Sequence, residues 1–301
     1  MIGIGLAAAA AGLARGAPAS AASPGPSAGA SPGASAGRRP RIGLALGSGS
    51  THGLAHVGVI RAFEREGLRP DLVAGTSAGA IVGVLYAAGL DIARIDEITR
   101  GFEWQQGGAL TWPGRGLMSN LPLQRRLEEA LGNRRIETLP TRFGAVATSL
   151  MEGEKVLFRS GAAARAVAAS SSIPVLFEPV RIGGRDYVDG SLTEPVPVDS
   201  ARAMGADFVI AVDVAYRPRD EKPQGITDIA FQMMHIMVNA LLAEQIGRAD
   251  FALQLDIHRL MRGTWSAQTL IDEGERAATE AWPELARKLR DAGRAPAAPP
   301  R

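Results

Sequence analysis

The chain has 301 residues and no cysteine, with 46% hydrophobic and 21% charged side chains, the composition of a globular protein able to bury one large core. Its net charge of +2 stems from the first forty residues, which hold Arg15, Arg38 and Arg39 and no acid, because residues 41–301 carry 30 basic against 31 acidic side chains. That balance gives nucleic acid no broad basic face to bind, and the missing thiols exclude disulfides, thiolate metal sites and a lipid-modified cysteine anchor.

Ile2 to Leu13 is an apolar run of twelve residues ending near Arg15, too short to span a bilayer. With the small-x-small pattern Ala19-Ser20-Ala21 it reads as a secretory signal segment without the usual basic start. Export, to a periplasmic or membrane-associated location, is the expectation, with cytoplasmic residence as the alternative. Ser23 to Gly37 consists of Ser, Pro, Gly and Ala, too little apolar surface to offset ordering entropy, so it reads as a flexible linker. The expected organisation is a signal-like segment and linker over 1–40, a main domain over 41–258, and a C-terminal helical extension with a Pro/Ala tail over 259–301.

Arg41 to Leu46 has the pattern of a strand and runs into Gly47-Ser48-Gly49-Ser50-Thr51-His52-Gly53, which forces a turn. Leu54, Val57, Ile60, Ala62 and Phe63 then recur at helical spacing. Leu68 to Ala74 is a second apolar strand that meets Gly75-Thr76-Ser77-Ala78-Gly79, and Ala80 to Ala88 continues as an apolar helix. Gly101 to Gly116 fits no repeat and reads as a loop or cap. Leu121 to Leu131 reads as a helix, Phe143 to Leu150 as a strand, Lys155 to Arg159 as its hairpin partner, and 161–171 as a helix ended by Pro174. Tyr187-Val188-Asp189-Gly190 closes a strand in a tight turn, Val198 to Met204 is a helix, and Phe208 to Val214 is a buried strand. Ile226 to Arg248 forms a long Met-rich helix, in which Met233, Met234 and Met237 are expected to be core or packing residues rather than a ligand surface, and Ala267 to Arg290 a polar one. Strands alternating with helices argue for an α/β sandwich with a mostly parallel sheet.

A serine between glycines on a strand-to-helix turn has a chemical use. The turn projects Oγ at the carboxyl edge of the sheet, and the helix that follows points its positive end at the site. Acyl transfer passes through an oxyanion that needs backbone N–H donors about 3 Å away, and the Gly47 to Gly53 loop offers them through Gly49 and Ser50. The loop lacks both the Gly-x-Gly-x-x-Gly spacing and a Gly-Lys-Ser/Thr, which argues against a nucleotide cradle. The proton acceptor is open on these grounds: His52, His56, His235, His258, Asp189, Asp199 and Asp213 are all candidates, and a Ser-acid-His order using His235 or His258 is formally available. Asp189 stands out because Asp-Gly directly after a strand puts a carboxylate at the sheet edge, with capping of its own turn as the alternative use.

Residues 41 to about 258 resemble the patatin-like phospholipase family, especially its bacterial members. The matching stretches are Gly47 to Val59, Gly75-Thr76-Ser77-Ala78-Gly79 and Asp189-Gly190-Ser191. Val146-Ala147-Thr148 with Gly153-Glu154, Ala169-Ser170-Ser171-Ser172-Ile173-Pro174 and Pro195-Val196-Pro197-Val198 also match. The resemblance implies a three-layer α/β/α sandwich with a mostly parallel central sheet, and a serine acyl hydrolase of lipid metabolism, a phospholipase, lysophospholipase or esterase, that works through a Ser-Asp dyad and an acyl-enzyme and needs no metal or organic cofactor. Ser77 would be the nucleophile, Asp189 its base, and Gly49, Ser50 and Thr51 the oxyanion hole, supported by Gly47, His52, Gly53, Gly75, Gly79 and Gly190. Its partner would be a lipid or other ester substrate. Peripheral membrane contact is expected through Trp104, Leu110, Trp112 and Leu117.

Two departures stand out. The family loop ordinarily reads Gly-Gly-Gly-x-Arg-Gly, whereas this chain has Ser48, Gly49, Ser50, Thr51, His52 and Gly53, which exchanges a permanent cation for a histidine. That exchange motivates the alternative of a catalytically weakened lipid-binding or regulatory protein. Asp189-Gly190-Ser191 replaces the commoner Asp-Gly-Gly or Asp-Gly-Ala and leaves the carboxylate in position.

Overall fold

Strands β1 (Ile42–Leu46) and β2 (Leu72–Thr76) are buried at every position, as strands covered on both faces must be. The computed structural model describes residues 39–101, 114–215, 217, 223, 225–257 and 266–295. The signal-like segment, the linker through Arg38, the loop residues Trp104, Leu110 and Trp112, and His258 lie outside the described residues.

β1 pairs in parallel with β2 on one edge and with β7 (Phe208–Asp213) on the other, and β8 (Phe251–Gln254) extends the parallel set beyond β7. β3 (Arg142–Ser149) runs parallel to β2. The antiparallel members β4 (Lys155–Phe158), β5 (Val180–Ile182) and β6 (Arg185–Asp189) complete an eight-stranded sheet at the β3 end.

Side-chain alternation divides the core in two. Ile42, Leu44, Leu46, Ile210 and Val212 meet α1 (Ala55–Arg65), α2 (Ala78–Ala87) and the C-terminal helix α8 (Ala267–Asp291). Ala45, Val209 and Ala211 point the other way, onto α6 (Val198–Ala203) and α7 (Ile226–Ile246). The molecule is therefore a three-layer α/β/α sandwich with a mostly parallel mixed sheet, in which large aliphatics fill one face and alanines let helices approach the other. The helices α4 (Leu121–Leu131) and α5 (Ala163–Ser170) flank the β3 end.

Three elements have no counterpart in the sequence reading: α3 (Ile92–Arg100), β5 and β8. α3 begins at Asp91, whose carboxylate accepts from the Arg94 N–H at 2.8 Å, an N-cap that satisfies a first-turn donor. The methionines of α7 depart from expectation as well. Met233 and Met237 are each 59% exposed rather than in the core, because the inner face of that helix is taken by Val238 and Leu242.

Candidate active site

The site follows from a change of neighbour along one edge of β3. β2 covers that edge from Arg142 up to the pair Thr76↔Val146 and then ends. β6, running the opposite way, covers the next residues and ends at the pair Asp189↔Ala147. The other edge is held by β4 across Ala145 to Thr148, so β2 and β6 meet head to head on the same side. Residues far apart in the chain thus arrive one ladder position apart: Ser77 is the first residue past the end of β2, and Asp189 is the last residue of β6.

Ser77 Oγ donates to Asp189 Oδ2 at 2.6 Å, with both residues buried. Ser77 holds φ 54° and ψ −121°, a left-sided backbone that costs a non-glycine residue roughly 1–3 kcal/mol. Two contacts maintain it. The Ser77 N–H donates to Ser170 Oγ at 2.9 Å, and Ser170 Oγ donates to the Val146 carbonyl at 2.5 Å. Gly79, in the first turn of α2, lies so close to β1 that a Cβ there would stand 2.1 Å from the Leu46 carbonyl oxygen. Only glycine lets the helix end abut the strand end at that distance.

Asp189 is fastened on each side. Its Oδ1 accepts from the Ser191 N–H at 2.8 Å, its N–H donates to Ser172 O at 2.9 Å, and its carbonyl accepts from Thr148 Oγ1 at 2.9 Å. A Cβ on Gly190 would stand 2.2 Å from the Val146 carbonyl oxygen, so glycine is required for the chain to turn here. Burial pushes the Asp189 carboxyl up to about 6, against the smaller opposing pull of the Ser77 and Ser191 hydrogen bonds. At neutral pH it is therefore ionised, an acceptor poised against a hydroxyl.

The glycine loop is pinned by its first members. Gly47 N–H donates to Val212 O at 3.0 Å and Ser48 N–H to Pro195 O at 2.8 Å. Gly49 and Ser50 line a cavity of about 340 Å³ that also exposes Ser77 and Asp189. Thr51 is not among the residues lining that cavity. Gly53 lies against Ala78 and Gly75 against Ala80, which brings loop, strand and helix into contact. The far wall of the cavity is apolar: Ile173 and Leu176, with Phe231, Met234 and Val238 of α7.

The histidines divide. His56 is fully buried, and its Nε2–H donates to the Gly47 carbonyl at 2.8 Å, which makes it a brace for the loop. Its pKa is pushed down to about 4 by burial, against smaller contributions from Gly47 and Asp213. His52 lines the cavity and is pushed down to about 4 by burial and by His235, which faces the same space from α7. The loop therefore carries no cation at neutral pH, where the family pattern that the loop resembles has an arginine. Asp213 is also buried, but it is paired with Arg217 and accepts from the Ala215 N–H at 2.9 Å, and Asp199 is ion-paired with Arg248 at 2.5 Å.

A model of the patatin-like phospholipase family matches residues 44–202, more than half of the chain. The chain belongs to the patatin-like phospholipase family. It is 33% identical over 193 residues to lysophospholipase NTE1 of Pyricularia oryzae, a match covering 62% of this chain and 13% of that protein. An uncharacterized NTE family protein of Mycobacterium bovis is 34% identical over 199 residues, covering 61% of this chain and 53% of the relative. The chain thus matches only a small part of the first relative and about half of the second. Among solved structures, VipD from Legionella pneumophila superposes with a TM-score of 0.51 at 13% identity, over 82% of this chain and 66% of that one, which is a likeness of fold.

Two contributors to the patatin-like site had no assigned role in the sequence. Ser170 and Ser172, in the Ala169 to Pro174 stretch, hold the backbones of Ser77 and Asp189, and Asn120 in turn donates to Ser172 Oγ at 3.0 Å. A run of three small hydroxyl residues before a proline was the available signal.

Proposed function

We propose that the protein is a serine acyl hydrolase that cleaves the carboxylic ester of a membrane lipid, with lysophospholipids as the leading substrate class. The single observation behind this reading is the 2.6 Å hydrogen bond from Ser77 Oγ to a buried Asp189 carboxylate beside an apolar cavity. The relative named a lysophospholipase supports the substrate class. Ser77 Oγ attacks the ester carbonyl carbon while its proton passes to Asp189 Oδ2. The N–H groups of Gly49 and Ser50, which line the cavity beside Ser77, receive the developing oxyanion. Collapse expels the alcohol, which takes the proton from Asp189. Water, deprotonated by Asp189, then releases the fatty acid from Ser77. The apolar wall of Ile173, Leu176 and Phe231 takes the acyl chain.

The test uses a fluorophosphonate probe and lysophosphatidylcholine turnover on wild type, Ser77→Ala and Asp189→Asn. Labelling and turnover are expected in wild type and lost in Ser77→Ala. Labelling that survives Ser77→Ala overturns the assignment. Export through the Ile2 to Leu13 segment is proposed on its apolar pattern and is tested by cell fractionation with and without residues 1–22.

A further inference from the structure

Helix α7 is apolar on two opposite faces. Phe231, Met234, His235 and Val238 line the cavity beside Ser77, and Leu242 and Gln245 are buried on the same side. On the other side Ile226, Ile229, Met233, Ile236 and Met237 are 51–85% exposed. At 100° per residue those five fall within an arc of about 100°, centred roughly opposite the cavity-facing set. Between Asp228 at one end and Glu244 at the other, every exposed position of the helix is apolar: Ile229, Met233, Ile236, Met237, Ala240 and Ala243.

By length and composition the segment Asp228–Ile246 is apolar enough to cross a membrane, yet only 17% of it is buried. It is fastened to the sheet, however. The Gln245 amide donates to Thr193 O at 3.1 Å, its Oε1 accepts from the Val196 N–H at 3.4 Å, and Leu242 is packed among the alanines. Such a helix lies along a surface rather than through it.

We propose that the outer face of α7 docks the protein on a lipid bilayer, so that the cavity on its inner face opens next to the lipid phase. The proposal rests on the lipid-hydrolase reading above and adds the surface by which substrate is reached. A protein partner would call for aromatic or arginine anchors and about one hydrogen bond per 100–200 Å². The exposed stretch between Asp228 and Glu244 provides aliphatic and thioether groups and neither of those features, which is what acyl chains accept. Acidic residues at its ends and no exposed Lys or Arg between them favour a zwitterionic surface over an anionic one.

The experiment uses the full chain with phosphatidylcholine vesicles. Wild type is expected to co-sediment, and the double variant Met233→Asp/Ile236→Asp to lose at least about tenfold in partitioning, since each apolar side chain withdrawn from lipid weakens binding by about that factor. The milder pair Met233→Gln/Met237→Gln guards against misfolding, with the thermal midpoint as the control. Both variants are expected to keep wild-type turnover of a water-soluble short-chain p-nitrophenyl ester while losing turnover of vesicle-embedded lysophospholipid. Wild type that stays off vesicles, or variants that bind as wild type does, overturn the proposal. So does a dimer, seen by light scattering, that the variants dissociate, because the face would then belong to a second copy. Two results separate the readings: Ser77→Ala is expected to bind vesicles as wild type does while losing ester turnover, and α7-dependent vesicle binding with no ester turnover in wild type supports docking and rejects the hydrolase.

Discussion

Asp189→Asn removes a buried charge while preserving shape, and its effect on stability has a sign set by pH. Burial raises the Asp189 carboxyl from 3.8 to about 6, about two units at 1.36 kcal/mol each, or about 3 kcal/mol. Below pH 3.8 both folded and unfolded chains hold the proton, and the residue is neutral in each. Between pH 4 and 6 the unfolded chain gives it up while the folded chain keeps it, so the stability contributed by the raised group declines. Above pH 6 the loss is complete and constant. The Asn variant is spared this loss, so its stability relative to wild type should improve by about 3 kcal/mol between pH 4 and pH 7.5. Urea denaturation of both proteins at pH 4, 5, 6 and 7.5 measures that difference. A difference that does not change with pH would refute the assignment of a buried, desolvated carboxylate at this position. On the proposed chemistry the same substitution lowers ester turnover by about 10²–10⁴-fold, and wild-type turnover declines as pH falls through about 6. Stability and activity would then move in opposite directions at one residue.

Ser170→Ala leaves the Ser77 N–H and the Val146 carbonyl without their shared partner. It should cost about 1–3 kcal/mol in denaturant unfolding and slow fluorophosphonate labelling of Ser77, whereas Ser170→Thr retains the hydroxyl and should recover part of both. Gly79→Ala puts a methyl group 2.1 Å from the Leu46 carbonyl oxygen. It is expected to destabilise by about 3 kcal/mol or more, read as a fall in thermal midpoint, with loss of labelling. His56 is depressed from 6.5 to about 4, so the stability it contributes is present above pH 6.5 and is lost as pH falls toward 4. His56→Gln should therefore flatten the acid limb of the stability curve by up to about 3 kcal/mol, and an unchanged limb would show that His56 is not the group responsible.

Much of the site is legible because its pieces are local. Gly-x-Ser-x-Gly between an apolar run and an apolar helix specifies the turn at Ser77, and Asp-Gly after a strand specifies the carboxylate at Asp189. The proton acceptor was not settled by pattern. Asp213 also ends a buried strand, and only the tertiary structure separates the two, giving Asp213 to Arg217 and Asp189 to the Ser77 hydroxyl. β8 was missed because its four residues alternate between buried and exposed, too short a run to register as a period. The sequence does not reveal that Met233 and Met237 face outward because α7 is apolar on two opposite faces, which leaves periodicity little to distinguish the inner from the outer one.

By itself the sequence determined the order of most strands and helices, the strand-turn-helix that presents Ser77, and the glycines at loop and turn, since each depends on residues within a few positions of one another. The tertiary structure alone decided that β2 and β6 share one edge of β3, with Thr76 opposite Val146 and Asp189 opposite Ala147. It alone also decided that Ser170 reaches the Ser77 backbone and that His52 faces His235 across the cavity. Such pairings depend on ladder register and layer packing between segments a hundred residues apart, for which a single chain has no local pattern.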